Sequence, residues 1–436
     1  MNNIAWLKKI FQLLLACFTL TLAVNPQSYA DSGINTGSMN TLGQAGVASS
    51  GQLAVFQAIS SQCGGPITTL QALCGSNSGV ALQQLSPQAA LQADSIAITS
   101  PYDFVKKINT RLQRLNDCDA ADKTAKDRED CRKRGGGSGD ASYIGPFGIS
   151  ISGGGGFGDR NNVRGQTGFD VNTQHANAIL DYRFDKQFAG GLSLGYLHSD
   201  RDLNFNSGYL NSDAYRVAPF LVYSPSSQSY VSVLAGYSRL EFDSLRSVNA
   251  SLANNVTIGN ASASYGADQF FTSLGAGYIE QMEWFNLRGF VRGDYSHTEI
   301  DGYTEQGAAV VDGGGALRGS APIQMNGQAI DSFTTTVGAE LSRAFSVPSL
   351  YTVFIPRFRA EWVHEFENRS RQINASLAGT VLNPITTGAP ERNWVNLATG
   401  VQMLLPQNIT AFVDYEALLI ENGSNQIVSG GVKIQF

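Results

Sequence analysis

The stretch WFNLRGFVRGDYSHTE, residues 284 to 299, reads in steps of two. Phe285, Leu287, Val291 and Tyr295 hold odd positions, whereas Asn286, Arg288, Arg292, Asp294 and Ser296 hold even ones. Successive side chains of a strand point to opposite faces, so this strand has one apolar and one polar face. Phe354, Phe358 and Trp362 stand in the same way against Arg357, Arg359 and Glu361. Ala176, Ala178, Leu180, Tyr182 and Phe184 alternate with Asn177, Asp181 and Arg183. Alternation alone fits a soluble sandwich as well as a barrel in lipid, so the connections must decide.

Twelve segments carry strand patterning: 143 to 157, 172 to 185, 189 to 201, 210 to 224, 228 to 243, 263 to 281, 284 to 299, 330 to 345, 350 to 366, 391 to 405, 408 to 420 and 425 to 436. DKQFAG, SPSSQ, QMEW, SVPS and PQN form short links on one side; the other side carries long ones at 158 to 171, 244 to 262, 300 to 329 and 367 to 390. Outer-membrane barrels sort their loops this way, with short periplasmic turns and long external loops, and closure pairs every backbone group inside the bilayer. Greek-key sandwiches have no reason to do so. The fold expected is all-β: a twelve-stranded antiparallel transmembrane β-barrel over 143 to 436, preceded by a small helical, disulfide-containing N-terminal region.

Of the 436 residues only 15% are charged, yet after the first thirty no apolar run reaches the length of a membrane helix, ~20 residues. A net charge of −6 and a pI near 5.3 leave no basic surface for phosphates, so nucleic acid is excluded as a partner. Lys8 and Lys9 precede the apolar run IFQLLLACFTLTLAV, and Ser28-Tyr29-Ala30 supplies a small-x-small cleavage site before Asp31. Residues 1 to 30 therefore read as a cleaved Sec signal peptide, with Cys17 inside its apolar core rather than at a lipidation site. Four cysteines remain, in two local pairs. In an exported chain this favours disulfides Cys63 to Cys74 and Cys118 to Cys131, and no Cys-x-x-Cys or nearby histidine suggests a metal.

Residues 31 to 51 are rich in Gly, Ser, Thr and Asn and look unstructured. LAVFQAISSQ, ITTLQALC and SPQAALQADSIAI read as short helices broken at Gly-Gly-Pro and Gly-Ser-Asn. After Pro101, Phe104, Ile108, Leu112 and Leu115 fall at helical spacing, with Lys106, Lys107, Arg111 and Arg114 on the other faces. The charge-dense run 117 to 134 and the glycines of 135 to 139 form a flexible lead into the first strand.

The chain closes on SGGVKIQF, with Val432, Ile434 and Phe436 on one face and Lys433 and Gln435 on the other. Ser429, Gly431, Ile434 and Phe436 resemble the last-strand signal read by the barrel assembly machinery. PRFRAEWVHEFEN at 356 to 368, the later ITAFVDYEA and the closing GGVKIQF together resemble the autotransporter translocator domain of type V secretion. LQQLSPQAALQ and FVKKINTRLQRL resemble the helical region preceding such barrels. The resemblance implies a cell outer-membrane protein of a Gram-negative bacterium whose barrel has a helix threaded through its pore.

Residues 101 to 115 would play that helix. Packing in the periplasm, or occupation of the pore by 119 to 133, remains open. Polar strand faces would line the pore with Asp181 and Arg183, Arg288, Arg292 and Asp294, Glu340, Arg357, Arg359 and Glu361, Asp414 and Glu416, and Lys433. Of these acids, Asp181, Glu340, Glu361, Asp414 and Glu416 are available to meet the helix's basic residues.

Only about 110 residues separate Ala30 from the barrel, too few for a passenger built of stacked turns. A non-enzymatic, autotransporter-type barrel with a vestigial passenger at 31 to 142 and loops displayed at the surface is therefore expected. Surface proteolysis is expected to reach 244 to 262, 300 to 329 or 367 to 390 and to spare 53 to 130. A porin-like channel and an adhesin acting through its loops are the alternatives. Other motifs dissolve on inspection. Arg292-Gly293-Asp294 lies mid-strand with its charges inward; Phe242-Asp243-Ser244-Leu245 reads as loop and lacks an esterase's companion residues; His364-Glu365 lacks a second histidine. No cofactor is implied.

Overall fold

The computed structural model describes residues 49–63, 69–75, 79–113, 146–162, 167–185, 187–226, 228–249, 252–282, 284–347 and 352–436. The expected signal peptide at 1 to 30, the expected Cys118 to Cys131 disulfide, the candidate 119 to 133 and the expected barrel start at Tyr143 lie outside them.

Twelve long strands close into a barrel: β1 Phe147–Arg160, β2 Phe169–Arg183, β3 Phe188–Leu203, β4 Gly208–Tyr223, β5 Ser229–Arg246, β6 Ala261–Gln281, β7 Asn286–Ile300, β8 Gln328–Ser342, β9 Thr352–Glu365, β10 Asn393–Leu405, β11 Ile409–Ile420 and β12 Gly423–Gln435. Each pairs antiparallel with its sequence neighbours. Pairing of β1 with β12, Ile149 opposite Ile434 and Gly154 opposite Ser429, closes the ring. Phe436 N then donates to Phe147 O at 2.9 Å, tying the two ends of the barrel chain together.

The alternation read from the sequence is the burial pattern of the strands. Ile149, Ile151, Leu192, Leu194, Val231, Leu274, Val291, Val337, Val413 and Val432 point outward and are exposed. So continuous an apolar band is a liability in water and is what a bilayer requires. Aromatic residues edge the band. Phe147 and Tyr182, and Phe188 and Tyr223, pair near the end that holds the barrel's termini; Tyr196 and Tyr215, and Tyr237 and Phe270, pair toward the other.

At the far girdle a histidine or arginine near each ring is tied to a carboxylate on the next strand: His198 to Asp213 at 2.8 Å, Arg239 to Asp268 at 3.1 Å and His297 to Asp331 at 2.8 Å. Rings and polar pairs together suit the height where hydrocarbon gives way to headgroups.

The connections at the terminus end are short. The other end has tight turns at 204–207 and 421–422 but also the long segments 247–260, 301–327 and 366–392, which fold into small sheets of their own. Phe242 to Leu245, expected in a loop, belongs instead to β5. The first residues of β4 extend the ladder that far, with Tyr209 opposite Leu245, and Ser244 Oγ donates to Ala263 O at 3.2 Å.

Among the described residues three α-helices precede the barrel: α1 Ser50–Gln62, α2 Gly79–Leu85 and α3 Gln88–Gln113, with a 3-10 turn at Leu70–Leu73. Ser49 opens α1 through a capping box, its hydroxyl accepting from Gln52 N at 3.0 Å while its own N donates to Gln52 Oε1 at 2.8 Å. The Cys63–Cys74 disulfide joins α1 to the 3-10 turn.

A helix-filled lumen as the candidate functional site

α3 occupies the barrel interior. Its 26 residues rise ~39 Å, enough to pass through the whole apolar band of ~25 Å. It enters at the long-loop end, where Gln88 Oε1 accepts from Thr167 N at 2.9 Å. It reaches the terminus half, where Ser232 Oγ donates to Asn109 Oδ1 at 2.9 Å.

The sequence placed the start of this helix at Pro101, because proline lacks the amide that continues a helix. The helix instead runs through Pro101. The acceptor that Pro101 abandons, Ala97 O, receives a hydrogen bond of 2.7 Å from Gln269 Nε2 on β6. The wall thus replaces the missing intrahelical bond, and a residue that would end a helix in water is accommodated.

Below Pro101 the contacts are ionic and aromatic. Lys106 is fully buried and lies 2.6 Å from Glu416 Oε2 and 3.3 Å from Asp103 Oδ1. Tyr102 packs edge-on against Trp394, with the Arg292 guanidinium 5.0 Å from its ring centroid. Phe104 meets Phe271 edge to face at 5.9 Å. Room for Phe104 depends on Gly195 of β3, where a Cβ would stand 2.4 Å from the ring. Ser193, Ala218, Ser232, Ser238 and Ser273 keep the facing wall low; all are buried. Small wall residues are what admit a helix some 10–12 Å across.

The charged wall residues pair chiefly with one another. Arg288 lies 2.6 Å from Glu340, Arg292 2.7 Å from Asp294, and Arg359 3.3 Å from Glu361 and 3.1 Å from Glu416. Arg357 bridges to Asp414, and Lys433 stands 3.9 Å from Asp181. Arg183 is half-buried near the terminus end of β2. The Arg-Gly-Asp tripeptide is consumed in the Arg292–Asp294 pair. Glu365 is fully buried, accepting from Ser332 Oγ at 2.5 Å and from Phe333 N at 2.9 Å, while His364 on the opposite face meets Asn393 Oδ1 at 2.8 Å. No group of His, Cys, Asp and Glu with metal-binding geometry occurs among the described residues.

In the last strand Ser429 and Gly431 face the lumen, and Ile434 and Phe436 face outward. Gly431 is needed where it stands: a Cβ would fall 2.7 Å from the Phe412 ring and 2.6 Å from Ile151 O.

The segment before α3 does not stand apart from the loops. α1, the 3-10 turn and α2 form one apolar core with them, in which Val55, Leu73, Leu82, Ile323, Leu377 and Ile385 are fully buried. Ser50 Oγ donates to Thr386 O at 2.7 Å, Asn249 N to Gln84 Oε1 at 2.9 Å, and Gln84 Nε2 to Phe205 O at 2.7 Å. Arg246 and Glu305 fasten the longest loop to the wall. The guanidinium forks the carboxylate at 2.6 to 3.1 Å, and Glu305 Oε2 also accepts from Ile323 N at 2.8 Å. Arg246 and Glu305 carried no motif; only the loop fold brings them together.

A closed twelve-stranded barrel with a lipid-facing exterior and a helix through its lumen defines a transmembrane β-barrel of the self-plugged kind. The autotransporter beta-domain model matches residues 149–416, well over half of the sequence, and the chain belongs to that family of outer-membrane barrels.

The structure resembles the translocator domain of the autotransporter NalP from Neisseria meningitidis, with a TM-score of 0.54 and 13% identity over 78% of this chain and 99% of that one. The beta domain of the Bordetella autotransporter BrkA gives a TM-score of 0.48 and 15% identity over 67% of this chain and 100% of the other. The transport unit of AIDA-I from Escherichia coli gives 0.43 and 15%, over 68% and 91%. Among curated proteins the sequence matches none.

Proposed function

We propose that this chain is a non-enzymatic outer-membrane autotransporter whose exported segment is its own lid. Sec export, insertion by the barrel assembly machinery through the Ser429 to Phe436 strand, and passage of the N-terminal segment through the barrel would leave α3 in the lumen. α1, the 3-10 turn and α2 would remain on the external loops as a vestigial passenger. The observation that carries this reading is the shared core of α1 and α2 with the long loops, at the end of the barrel away from its termini. On this reading residues 53 to 85 are displayed, in place of the expectation that 53 to 130 stays off the surface. The lid and loops together, rather than loops alone, are then the displayed surface.

Cysteine labelling of intact cells with a membrane-impermeant maleimide tests it. Gln57→Cys in α1 and Val381→Cys in the last long loop are both expected to label, whereas Ser226→Cys in a short turn labels only after permeabilisation. Gln57→Cys labelling only in permeabilised cells refutes the proposal.

A porin-like pore is the second reading, favoured by space left beside α3. Two cavities of about 130 and 40 Å³ meet at Lys107 and His175. Planar-bilayer conductance discriminates: steady conductance unchanged by deleting 31 to 142 supports a pore, and conductance appearing only on that deletion supports a plug.

A further inference from the structure

The larger cavity lies between α3 and the wall of β1 to β3 and β10 to β12, and reaches the loop rim at residues 388–391. Phe169, Val171, Leu197 and Ile427 of the wall, with Ile98 and Tyr102 of α3, give it apolar sides. Its volume of about 130 Å³ approaches that of a dry cavity of about 150 Å³ that accepts a benzene ring. Along β1 the lumen-facing positions Ser152, Gly154, Gly156 and Gly158 carry no bulky side chain, and the strand's last residues, Asp159 and Arg160, line the cavity.

Several of the cavity's polar atoms have no protein partner, among them donors of Arg160, Arg201 and Trp394 and the acceptor Asn425 Oδ1. Arg201 is only 6% exposed, and its Nε is unpaired. Its Nη1 reaches Gln92 O at 3.3 Å, and the guanidinium lies 4.6 Å from the centroid of the Phe169 ring. No carboxylate pairs with it among the described residues. Arg160 Nε, Trp394 Nε1 and His175 Nε2 are likewise without partners, His175 at 8% exposure.

The three carboxylates at the cavity are already engaged. Glu391 takes Asn422 Nδ2 at 3.0 Å and Arg160 at 3.7 Å, Asp159 accepts from Ser424 Oγ at 3.0 Å, and Asp103 holds Lys106 at 3.3 Å. A buried guanidinium with no carboxylate is costly unless something anionic or water meets it.

We propose that this cavity is a binding site for a small apolar monocarboxylate, with the carboxylate on Arg201 and Arg160 and the hydrocarbon along Phe169, Leu197 and Ile427. Planar guanidinium forks match carboxylate oxygens, and the apolar remainder suits a short acyl chain whose end lies toward the open loop rim.

The test is equilibrium dialysis of radiolabelled octanoate against the full chain in lipid nanodiscs, with empty nanodiscs as the blank. One saturable site per chain is expected, with octanol, which lacks the charge, competing at least tenfold more weakly. Arg201→Met is expected to weaken octanoate by about tenfold or more, the loss of a hydrogen bond to a charged group. Ile420→Trp, which fills the apolar side from β11, is expected to abolish the site while leaving the wall charges in place. Heat-modifiable gel mobility confirms that each variant has a closed barrel. Absence of saturable binding, meaning a space filled with water only, overturns the proposal. So does equal affinity for octanol and octanoate, or unchanged octanoate binding in a folded Arg201→Met or Ile420→Trp barrel.

Discussion

Gln269 Nε2 on β6 donates to the main-chain carbonyl of Ala97, the acceptor that Pro101 leaves empty in α3, at 2.7 Å. The same Nε2 also reaches Thr298 Oγ1 at 2.7 Å, and Gln269 is fully buried. One wall residue therefore serves both the helix and its cross-strand neighbour Thr298 on β7.

Gln269→Leu leaves the Ala97 carbonyl buried without a donor and is expected to destabilise the helix-filled barrel by about 1–3 kcal/mol. Pro101→Ala restores the intrahelical donor. The double variant P101A/Q269L is therefore expected to recover most of the loss, and a double-mutant cycle on thermal unfolding in detergent reads the coupling. Additive effects would mean that the Gln269 bond does not stand in for the missing amide.

The legibility of this molecule in its sequence divides along the same line. Strand alternation such as that of Phe285 to Ser296 survives because each barrel strand meets lipid on one face and the lumen on the other, a constraint local to the strand. Helix boundaries were less legible. Pro101 marks a break in any isolated peptide, and only the barrel wall, remote in sequence, removes it. The seat of α1 and α2 on the loops was not legible at all, since it rests on pairings such as Ser50 with Thr386, separated by 336 residues. The cavity was not legible for another reason: glycines in β1 and an Arg201 that lacks a carboxylate leave no motif.

The Arg246–Glu305 fork should control access to the loop spanning 301–327. Arg246→Met leaves Glu305 buried and deprived of its cation, and breaking a buried pair from one side costs about 3–5 kcal/mol. Local loosening follows. Trypsin applied to intact cells is expected to cut after the exposed Arg318 markedly faster in this variant, read as fragment yield on a gel.

Acid acts on the tip of the same loop independently. Backbone donation from Ala316 and then the Arg318 side chain hold the Asp312 carboxyl below its ordinary value of 3.8. A depressed folded value stabilises the turn fully above about pH 4 and is lost as the pH falls below it. Cleavage should thus be unchanged from pH 5 to 8, apart from the protease's own profile as measured on a reference peptide.

The disulfide Cys63–Cys74 closes a short loop, 11 residues apart in sequence, between α1 and the 3-10 turn. Loop closure on this scale restricts the unfolded cap by about 3 kcal/mol. Reduction is therefore expected to loosen the cap first, since no disulfide lies within the barrel strands. Hydrogen exchange should rise over 50–85 under reductant while amides of β6 and β7 keep their protection. Uniform loss across both would show that cap and barrel unfold as one unit.

Lys106 supplies the sharpest test of what holds α3 in the lumen. Its ammonium is buried 2.6 Å from Glu416, and Glu416 keeps a second cation, Arg359, at 3.1 Å. Removing Lys106 therefore leaves the carboxylate partly compensated, whereas removing Glu416 leaves the ammonium with Asp103 alone at 3.3 Å. Glu416→Gln is expected to be the more damaging single change, at about 3–5 kcal/mol, and Lys106→Met the milder. The double variant K106M/E416Q should lie closer to wild type than E416Q does, because the buried ammonium that E416Q strands is gone. Single-channel recording gives a readout specific to the plug, since a helix less firmly held leaves the lumen open for a larger fraction of the time. Open probability should rise in the order wild type, K106M, E416Q. The opposite order of the two single variants would place the anchor on Arg359 rather than on the helix.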